Sequence, residues 1–258
     1  MPTKAAKDRD MYVVKDNRLI QKSRFSLSIQ AQRCLLYAIS RIKFSDVPTT
    51  EYTFKISDLC ESCGIELETH GDHYSRIKSE LKSLRDNSIW IKRDDGKEET
   101  ISWFSKVKIN HGEGSVTVKF DESIHEYLFM LQSRYTQYRL ETPLSFKSKY
   151  SVRLYELLLS YTKKDQIDVG IEQQLEFDPH ELRKLLDGEN YTKFYDFRRY
   201  VTDTACKEIN EYSDDIHVEP DYIYVGKQLK KVIFYVNAPR AKQIMTAREG
   251  RKKRLAPR

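Results

Sequence analysis

The stretch DFRRYVTDTACKEINEY, from Asp196 to Tyr212, has the pattern of a short helix with one apolar side. At 100° per residue, four apolar side chains fall on one face: Phe197, Val201, Ala205 and Ile209. The opposite face is polar and carries Arg199, Asp203, Cys206 and Asn210, with Thr202 beside them and Arg198 at the border. Asp196 is a suitable N-cap residue, which puts the two arginines near the positive end of the helix.

A helix of this kind fits the major groove of DNA, with its apolar side in a protein core. The guanidinium fork of arginine matches O6 and N7 of guanine, so we expect Arg198 and Arg199 to contact bases, with Thr202 beside them. For this stretch alone, the alternative is a surface helix with two solvated arginines.

Composition and charge narrow the class of protein. The 258 residues suffice for two domains, and no apolar run reaches the ~18 residues of a membrane span. The start MPTKAAKDRD has no apolar signal region, so we expect a cytoplasmic protein.

From Arg240 to Arg258 there are eight Lys/Arg and one Glu, a charge of +7 against +6 for the whole chain. This tail is expected to add salt-dependent, non-specific binding to nucleic acid, the alternative being a solubilising tail.

The first half has the order of elements of a winged helix. A helix starting at Ser26 or Ser28 is followed by a short strand, a helix ending near Gly64, and a third helix opened by Asp72. A hairpin is predicted over residues 88–109, with its turn at residues 94–96, and a third strand over 115–120. The exposed side of the third helix offers three candidate DNA contacts: Arg76, Ser79 and Lys82.

The same pattern returns in the second half. Phe54-x4-Leu59 is echoed by Phe177-x4-Leu182, and each copy precedes a longer helix and a hairpin. The expected fold class is therefore α+β, with two tandem winged-helix domains related by an internal repeat. The further predicted DNA contacts in the second half are Asn190, Lys193, Lys227, Lys230 and Lys231.

Five segments follow from this pattern. We expect a disordered N-terminal arm (1–17), the first winged helix (18–133), a junction (134–146), the second winged helix (147–238) and the basic tail (239–258).

The central helix of the second half is apolar on most sides, with a polar stripe that includes Arg153. Glu208 falls inside an apolar arc, where a carboxylate needs a partner, and Arg153 is the predicted one.

Two other kinds of site were considered. Cys60, Cys63, His70 and His73 form C-x2-C-x6-H-x2-H, which could hold zinc, although the cysteines also suit a helix that packs in a core. The chain has no phosphate-binding loop, no nucleophile elbow and no His-apolar-His pair of the kind that nicking nucleases use to hold metal. We therefore expect a protein that is not an enzyme and needs no cofactor.

Two runs also resemble a known family. Arg134 to Tyr161, which includes RLYELL, and Phe194 to Tyr212, which includes DFRR and EIN, are similar to iteron-binding replication initiators of theta-replicating plasmids, such as the F-plasmid initiator. Phe25 to Ile42 and Phe54 to Leu84 fit the first domain of that family. The basic tail and the CxxC pair depart from the family pattern.

The resemblance implies a function in the initiation of plasmid replication. In that family the second domain binds directly repeated double-stranded DNA sites, while the first contacts adjoining DNA and forms the dimer. Monomers open the origin, dimers repress the initiator's own gene, and the partners are the host initiator, helicase-loading machinery and chaperones. No membrane contact is implied, and the protein would associate with the nucleoid or plasmid. The alternative is a winged-helix transcriptional repressor without initiator activity.

Overall fold

The computed structural model describes residues 11–66, 74–93 and 95–239. Within these ranges the α-helices are α1 (Asn17–Lys22), α2 (Ile29–Ile39), α3 (Ile56–Cys63), α4 (Ser75–Asp86), α5 (His125–Leu128), α6 (Glu141–Ser145), α7 (Lys149–Tyr161), α8 (Lys164–Asp168), α9 (Pro179–Leu185), α10 (Phe194–Phe197) and α11 (Asp203–Tyr212). A 3-10 turn spans Glu122–Ile124, and a π-helical turn spans Arg198–Thr202. In the described part of the chain, no helix is long and apolar enough to cross a lipid bilayer.

The strands of the described residues form antiparallel sheets. They are β1 (Tyr12–Asp16), β2 (Ser23–Arg24), β3 (Glu51–Lys55), β4 (Ser88–Lys92), β5 (Glu98–Ser102), β6 (Phe104–Asn110), β7 (Ser115–Phe120), β8 (Tyr135–Arg139), β9 (Gln173–Phe177), β10 (His217–Val225) and β11 (Gln228–Asn237). β1 pairs with β8, and the three-stranded sheets have the orders β2-β4-β5, β3-β7-β6 and β9-β11-β10.

Two of these sheets are built in the same way, which confirms the predicted repeat of two winged helices. In each, the strand that precedes a short helix pairs with the last strand of a hairpin: β3 with β7, and β9 with β11. The recurring phenylalanine occupies the same place, since Phe54 lies opposite Val116 and Phe177 opposite Val232. Both rings pack against the core.

The hairpin predicted over residues 88–109 is confirmed only in its first part. β4 pairs with β5 along its full length, and the N–H of Arg93 donates to the carbonyl of Lys97 at the predicted turn. The second predicted strand is two strands, β5 and β6, and β6 pairs with β7. The hairpin equivalent to β10–β11 is therefore β6–β7, with its turn at residues 111–114, while β4 and β5 belong to a separate sheet in which Arg24 of β2 pairs with Trp90.

The N-terminal arm was predicted to be disordered up to residue 17, and this is wrong for residues 12–17. Tyr12–Asp16 pairs along its full length with Tyr135–Arg139, inside the predicted junction. Val13 is fully buried, so the strand contributes to the core as well as to the sheet. Residues 1–10 and the tail from Arg240 onward lie outside the described residues, as do Asp72, the predicted start of the third helix, and Asp94 in the predicted turn.

Helix α7 is covered on most sides, as its composition predicted. Its buried apolar residues are Val152, Leu154, Tyr155, Leu157 and Leu158. The polar stripe is buried as well. Glu156 accepts a hydrogen bond from Lys15 Nζ at 2.6 Å and another from the hydroxyl of Tyr138. Burial raises the pKa of Tyr138, and it lowers the pKa of Lys15.

The predicted pair between Glu208 and Arg153 is wrong. Glu208 Oε2 accepts hydrogen bonds from the backbone N–H groups of Lys147 and Ser148, both at 3.1 Å, at the N-terminus of α7. Those unpaired amides attract a carboxylate more directly than a distant guanidinium does. Arg153 instead contacts Glu156 at 3.7 Å and stacks on Phe25.

Candidate nucleic-acid interface

The helix predicted to contact DNA is formed by α10, the π turn and α11, which follow one another without a break from residue 194 to 212. Its predicted apolar face is confirmed: Phe197, Val201, Ala205 and Ile209 are all buried. Asp196 lies in the first turn, whereas Lys193 is the N-cap residue, so the predicted cap is wrong. The carboxylate of Asp196 still lies near the positive end of the helix.

The π turn changes which side chains face solvent. The N–H of Asp203 donates to the carbonyl of Arg198, five residues earlier, which makes this turn wider than an α-helical one. Because a wider turn brings residue i+5 under residue i, Thr202 comes below Phe197 and is fully buried. Cys206 is buried too. Thr202 has no accessible surface, so its assignment as a direct DNA contact is wrong.

The side chain of Arg198 is held at the surface by two neighbours. Its Nε donates to Asp203 Oδ2 at 3.2 Å, and its guanidinium lies 4.3 Å from the centre of the Tyr222 ring, on strand β10. The Tyr222 hydroxyl donates to Asp203 Oδ1 at 2.7 Å and lies 2.6 Å from Thr202 Oγ1. Partial burial opposes the charge on Arg198, but Asp203 outweighs it and raises the pKa of the guanidinium. These contacts leave the two terminal nitrogens of the fork free to bind acceptors.

Three further predicted residues lie at the start of the same helix or beside it. Arg199, Lys193 and Asn190 are exposed, and among the described residues neither cation has a carboxylate partner. The guanidinium of Arg199 lies 5.3 Å from the centre of the Tyr200 ring. A solvated, unpaired guanidinium loses no ion pair when it binds an anion, which favours Arg199 as a contact.

The three predicted lysines of the hairpin β10–β11 lie in different places. Lys227 is exposed in the turn, where Gly226 has a φ of +60°. Lys230 is exposed as the extra residue of a β-bulge, since Ile223 pairs with Lys231 and Tyr224 with Leu229. Lys231 lies across the strand from Ile223, on the opposite side of the sheet from Tyr222, and its Nζ is 2.7 Å from Glu176 Oε2. The structure therefore does not group Lys231 with the arginines.

Helix α4 carries the candidate contacts of the first half. Ile77, Leu81 and Leu84 are buried as predicted, while Arg76, Ser79 and Lys82 are exposed on the other side. Lys82 forms an ion pair with Asp86 one turn later, whereas Arg76 has no ion-pair partner among the described residues. Arg76 is thus the stronger cation of this surface for binding phosphate.

Sequence reasoning missed the tyrosines around the helix. Tyr191 stacks on Tyr200 with ring centres 5.8 Å apart, and Tyr195 is 67% exposed. The run YTKFYDFRRY, from residue 191 to 200, carries three tyrosines among its basic residues, which is the signal that could have indicated them. Aromatic side chains next to cations suit the sugar and base surfaces of nucleic acid.

The candidate zinc ligands are only partly described. Cys60 and Cys63 are buried on α3, and Cys63 is in hydrogen-bond contact with Cys34 of α2. Burial raises the pKa of the Cys60 thiol to about 11, which keeps this thiol protonated at neutral pH. His70 and His73 lie outside the described residues, and no group of three possible metal ligands occurs in the part that is described. The zinc site stays a prediction.

Comparison with known proteins gives two family matches that together span most of the chain. Residues 12–159 match the family described as "Initiator Replication protein, WH1", and residues 180–236 match "Initiator Rep protein, WH2". A curated "Replication initiation protein" of Escherichia coli is 30% identical over 152 residues, which cover 58% of this chain and 45% of that protein. The match thus spans less than half of that relative's length.

A solved structure has the same overall fold. The Pi initiator protein, crystallised in complex with iteron DNA, superposes with a TM-score of 0.69 at 20% sequence identity. The similarity covers 90% of this chain and 99% of that chain. The pair of winged helices is therefore shared by both proteins as a unit.

Proposed function

The chain belongs to the initiator replication proteins with two winged-helix domains, and on that premise we propose that it binds directly repeated DNA sites, or iterons, at a replication origin. The helix of residues 194–212 lies in the major groove, with Arg198 and Arg199 on base edges. Lys193, Asn190, Lys227 and Lys230 contact the flanking phosphates. This proposal depends on the fixed Arg198 and on Arg199, which has no carboxylate partner among the described residues, at the exposed end of a helix whose other side is buried.

The first winged helix makes the secondary contacts. Arg76, Ser79 and Lys82 on α4 face the same duplex about one helical turn away (~34 Å), as expected for two modules joined in one chain. This first domain also forms the dimer. The proposed domain limits are those predicted from the sequence, with the N-terminal arm shortened so that it ends at residue 11. Function requires no catalytic step and no cofactor.

The same site supports two outcomes on DNA. Bound as a monomer to the repeats, the protein promotes opening of the adjoining duplex and recruits the host initiator and helicase-loading machinery. Bound as a dimer to an inverted repeat, it represses its own gene, and chaperones separate the dimer. The E. coli relative is named a replication initiation protein, which supports initiation over repression alone.

Footprinting on the DNA that flanks its own gene tests this function. We expect several tandem protected repeats next to an AT-rich segment whose thymines react with permanganate when the protein is bound. A single protected palindrome without permanganate reactivity would make the protein a repressor only. Cleaved strands in the presence of divalent metal would instead indicate a nicking nuclease.

A further inference from the structure

The two equivalent sheets carry opposite charges on their outer faces. On β3-β7-β6, the residues that project away from the helices form rows across the strands: Glu51, Lys119 and Lys106 in one row, and Thr53, Thr117 and Lys108 in the next. Lys55 continues this face along β3. This basic sheet face therefore has four lysines and one glutamate, of which only Lys119 is half-buried.

On β9-β11-β10, the corresponding face is acidic. Its rows are Glu219, Tyr235 and Gln174, then Asp221, Ile233 and Glu176. Lys231 lies on this face, and Glu172 joins it through a hydrogen bond from Asn237 Nδ2 at 2.7 Å. This acidic sheet face has four carboxylates, all exposed, and one lysine.

Both faces are dense enough for their charges to act together. Lys106 reaches over β7 to Glu51 at 2.9 Å and lowers the pKa of that carboxyl, with Lys119 and Lys108 acting in the same direction. On the acidic face, Lys231 lowers the pKa of Glu176. Each face thus holds one pair between a lysine and a carboxylate and keeps an excess of three lysines on the first face and of three carboxylates on the second. On the second face, His217 Nε2 also lies 3.5 Å from Glu219 Oε1.

We propose that the basic sheet face of one copy docks on the acidic sheet face of a second copy bound to the next DNA repeat. The match of sign and number favours this partner, because complementary charge is what orients and selects associating proteins. The acidic face repels a polyanion, so nucleic acid does not account for it. A two-fold axis through either face would place that face against its own like charge, whereas a head-to-tail contact between different faces continues along direct repeats.

The contact is weak for free chains and acts when DNA holds two copies side by side. Exposed ion pairs contribute little one at a time and are screened by salt, but a duplex that carries both copies raises their effective concentration. This inference rests on the proposed binding of direct repeats. The experiments therefore measure cooperativity between two DNA sites separately from the affinity for a single site.

Charge reversal on each face, and on both together, tests the docking. The variants are K106E/K108E, E219K/D221K and the quadruple combination. The probes are duplexes with one copy, or two copies in direct repeat, of the site that the protein selects from a random-sequence pool. We expect about tenfold cooperativity between two sites at low salt for the wild type, loss of it in each double variant, and recovery in the quadruple variant, in which the signs again match. Half a helical turn inserted between the sites should abolish cooperativity.

Single-site affinity separates the possible failures. Unchanged single-site binding without charge-dependent cooperativity overturns the docking and leaves the proposed function intact. Weaker single-site binding of K106E/K108E together with stronger binding of E219K/D221K also overturns it, since the basic face would then contact DNA. If no site is selected at all, the proposed function fails. Carbodiimide cross-linking of mixed isotope-labelled and unlabelled chains that are bound side by side on duplex DNA at low salt then decides: links between Lys106 or Lys108 of one copy and Glu219 or Asp221 of another support docking, and their absence contradicts it.

Discussion

The hydroxyl of Tyr222 connects the hairpin to the π turn. It is bonded to Asp203 and Thr202, while the ring supports the guanidinium of Arg198. Burial raises the pKa of Tyr222, so the hydroxyl stays protonated and keeps its donor at any physiological pH. One side chain on the hairpin therefore fixes both the wide turn and the orientation of an arginine on the helix.

Tyr222→Phe keeps the ring below Arg198 and removes both hydrogen bonds. We expect it to lower the free energy of unfolding by about 0.5–1.5 kcal/mol, and Tyr222→Leu, which also removes the stacking, to weaken specific DNA binding further. Urea denaturation and equilibrium binding to a selected duplex measure the two effects. Tyr224→Phe is the matched control, because Tyr224 is exposed on the same strand and has no hydrogen-bond partner in the described part of the chain. Equal effects at both tyrosines would contradict the role of the network.

Gly188 lies against Phe197 at the start of the helix. A Cβ atom built on Gly188 would lie 2.6 Å from Cε2 and 2.8 Å from Cδ2 of that buried ring. Gly188→Ala is therefore expected to cost about 1–3 kcal/mol of stability through overpacking, measured by thermal or urea unfolding. Gly112→Ala should change little, since the nearest atom is 3.9 Å away. If Phe197→Leu does not recover part of the loss in the Gly188→Ala background, the clash is not the cause.

Among the elements, the helix of residues 194–212 also stabilises the start of α7. Glu208 accepts from the N–H groups of Lys147 and Ser148, and the Ser148 hydroxyl caps α7 by accepting from Tyr150 N. Glu208→Ala should therefore lower the free energy of unfolding by about 1 kcal/mol. Glu211→Ala makes the same charge change three residues later, at an exposed position, and serves as the control. Urea denaturation measures the free energy of unfolding of both variants. A loss of equal size in both would show a general charge effect rather than a cap.

Apolar spacing was sufficient to predict the two helices that carry the candidate DNA contacts. The buried positions of α4 and of residues 194–212 repeat at helical intervals, and Phe54 and Phe177 revealed the common topology of the two halves. The π turn was not predictable in this way, because a helical wheel at 100° per residue assumes the same turn throughout. Thr202 was therefore placed at the surface, although the wide turn buries it.

Partners far apart in sequence were the other source of error. Lys231 follows Lys230 at the tip of a hairpin, yet one bulge and Glu176, which is 55 residues away, turn it toward the acidic sheet face. Glu208 was predicted to pair with Arg153 because each needed a partner of opposite charge. The sequence does not show that the N-terminus of another helix brings its backbone N–H donors next to Glu208. The local sequence pattern predicts which side chains of a helix or strand are exposed. It does not predict which residue from another element an exposed charged side chain contacts.

At the scale of the whole molecule, a buried charge cluster joins the N-terminal strand to the central helix. Lys15, Arg153 and Glu156 are at most 5% exposed, and Glu156 is the carboxylate that contacts both cations. Arg153 also donates to the carbonyl groups of Ser23 and Leu185. The cluster thus connects segments that the sequence placed in separate domains.

Glu156→Ala leaves two buried cations without their carboxylate. We expect a loss of about 3–5 kcal/mol in the free energy of unfolding, measured with urea. Asp86→Ala, which breaks an exposed ion pair on α4, should leave the urea midpoint nearly unchanged. Lys15→Met combined with Glu156→Leu should be more stable than Glu156→Ala, since the apolar pair removes one of the two unpaired charges and leaves only Arg153. A Glu156→Ala midpoint as high as that of the wild type would contradict this view of the cluster.

In the proposed function, the second winged helix recognises the DNA sequence and the first contacts the phosphates of the duplex. The most direct measurement compares Arg199→Ala with Arg76→Ala on a selected duplex and on a random one, at the same salt concentration. We expect Arg199→Ala to cost about 1–3 kcal/mol on the selected site and far less on random DNA, whereas Arg76→Ala should weaken binding to both equally. Equal losses on both duplexes for Arg199→Ala would contradict it.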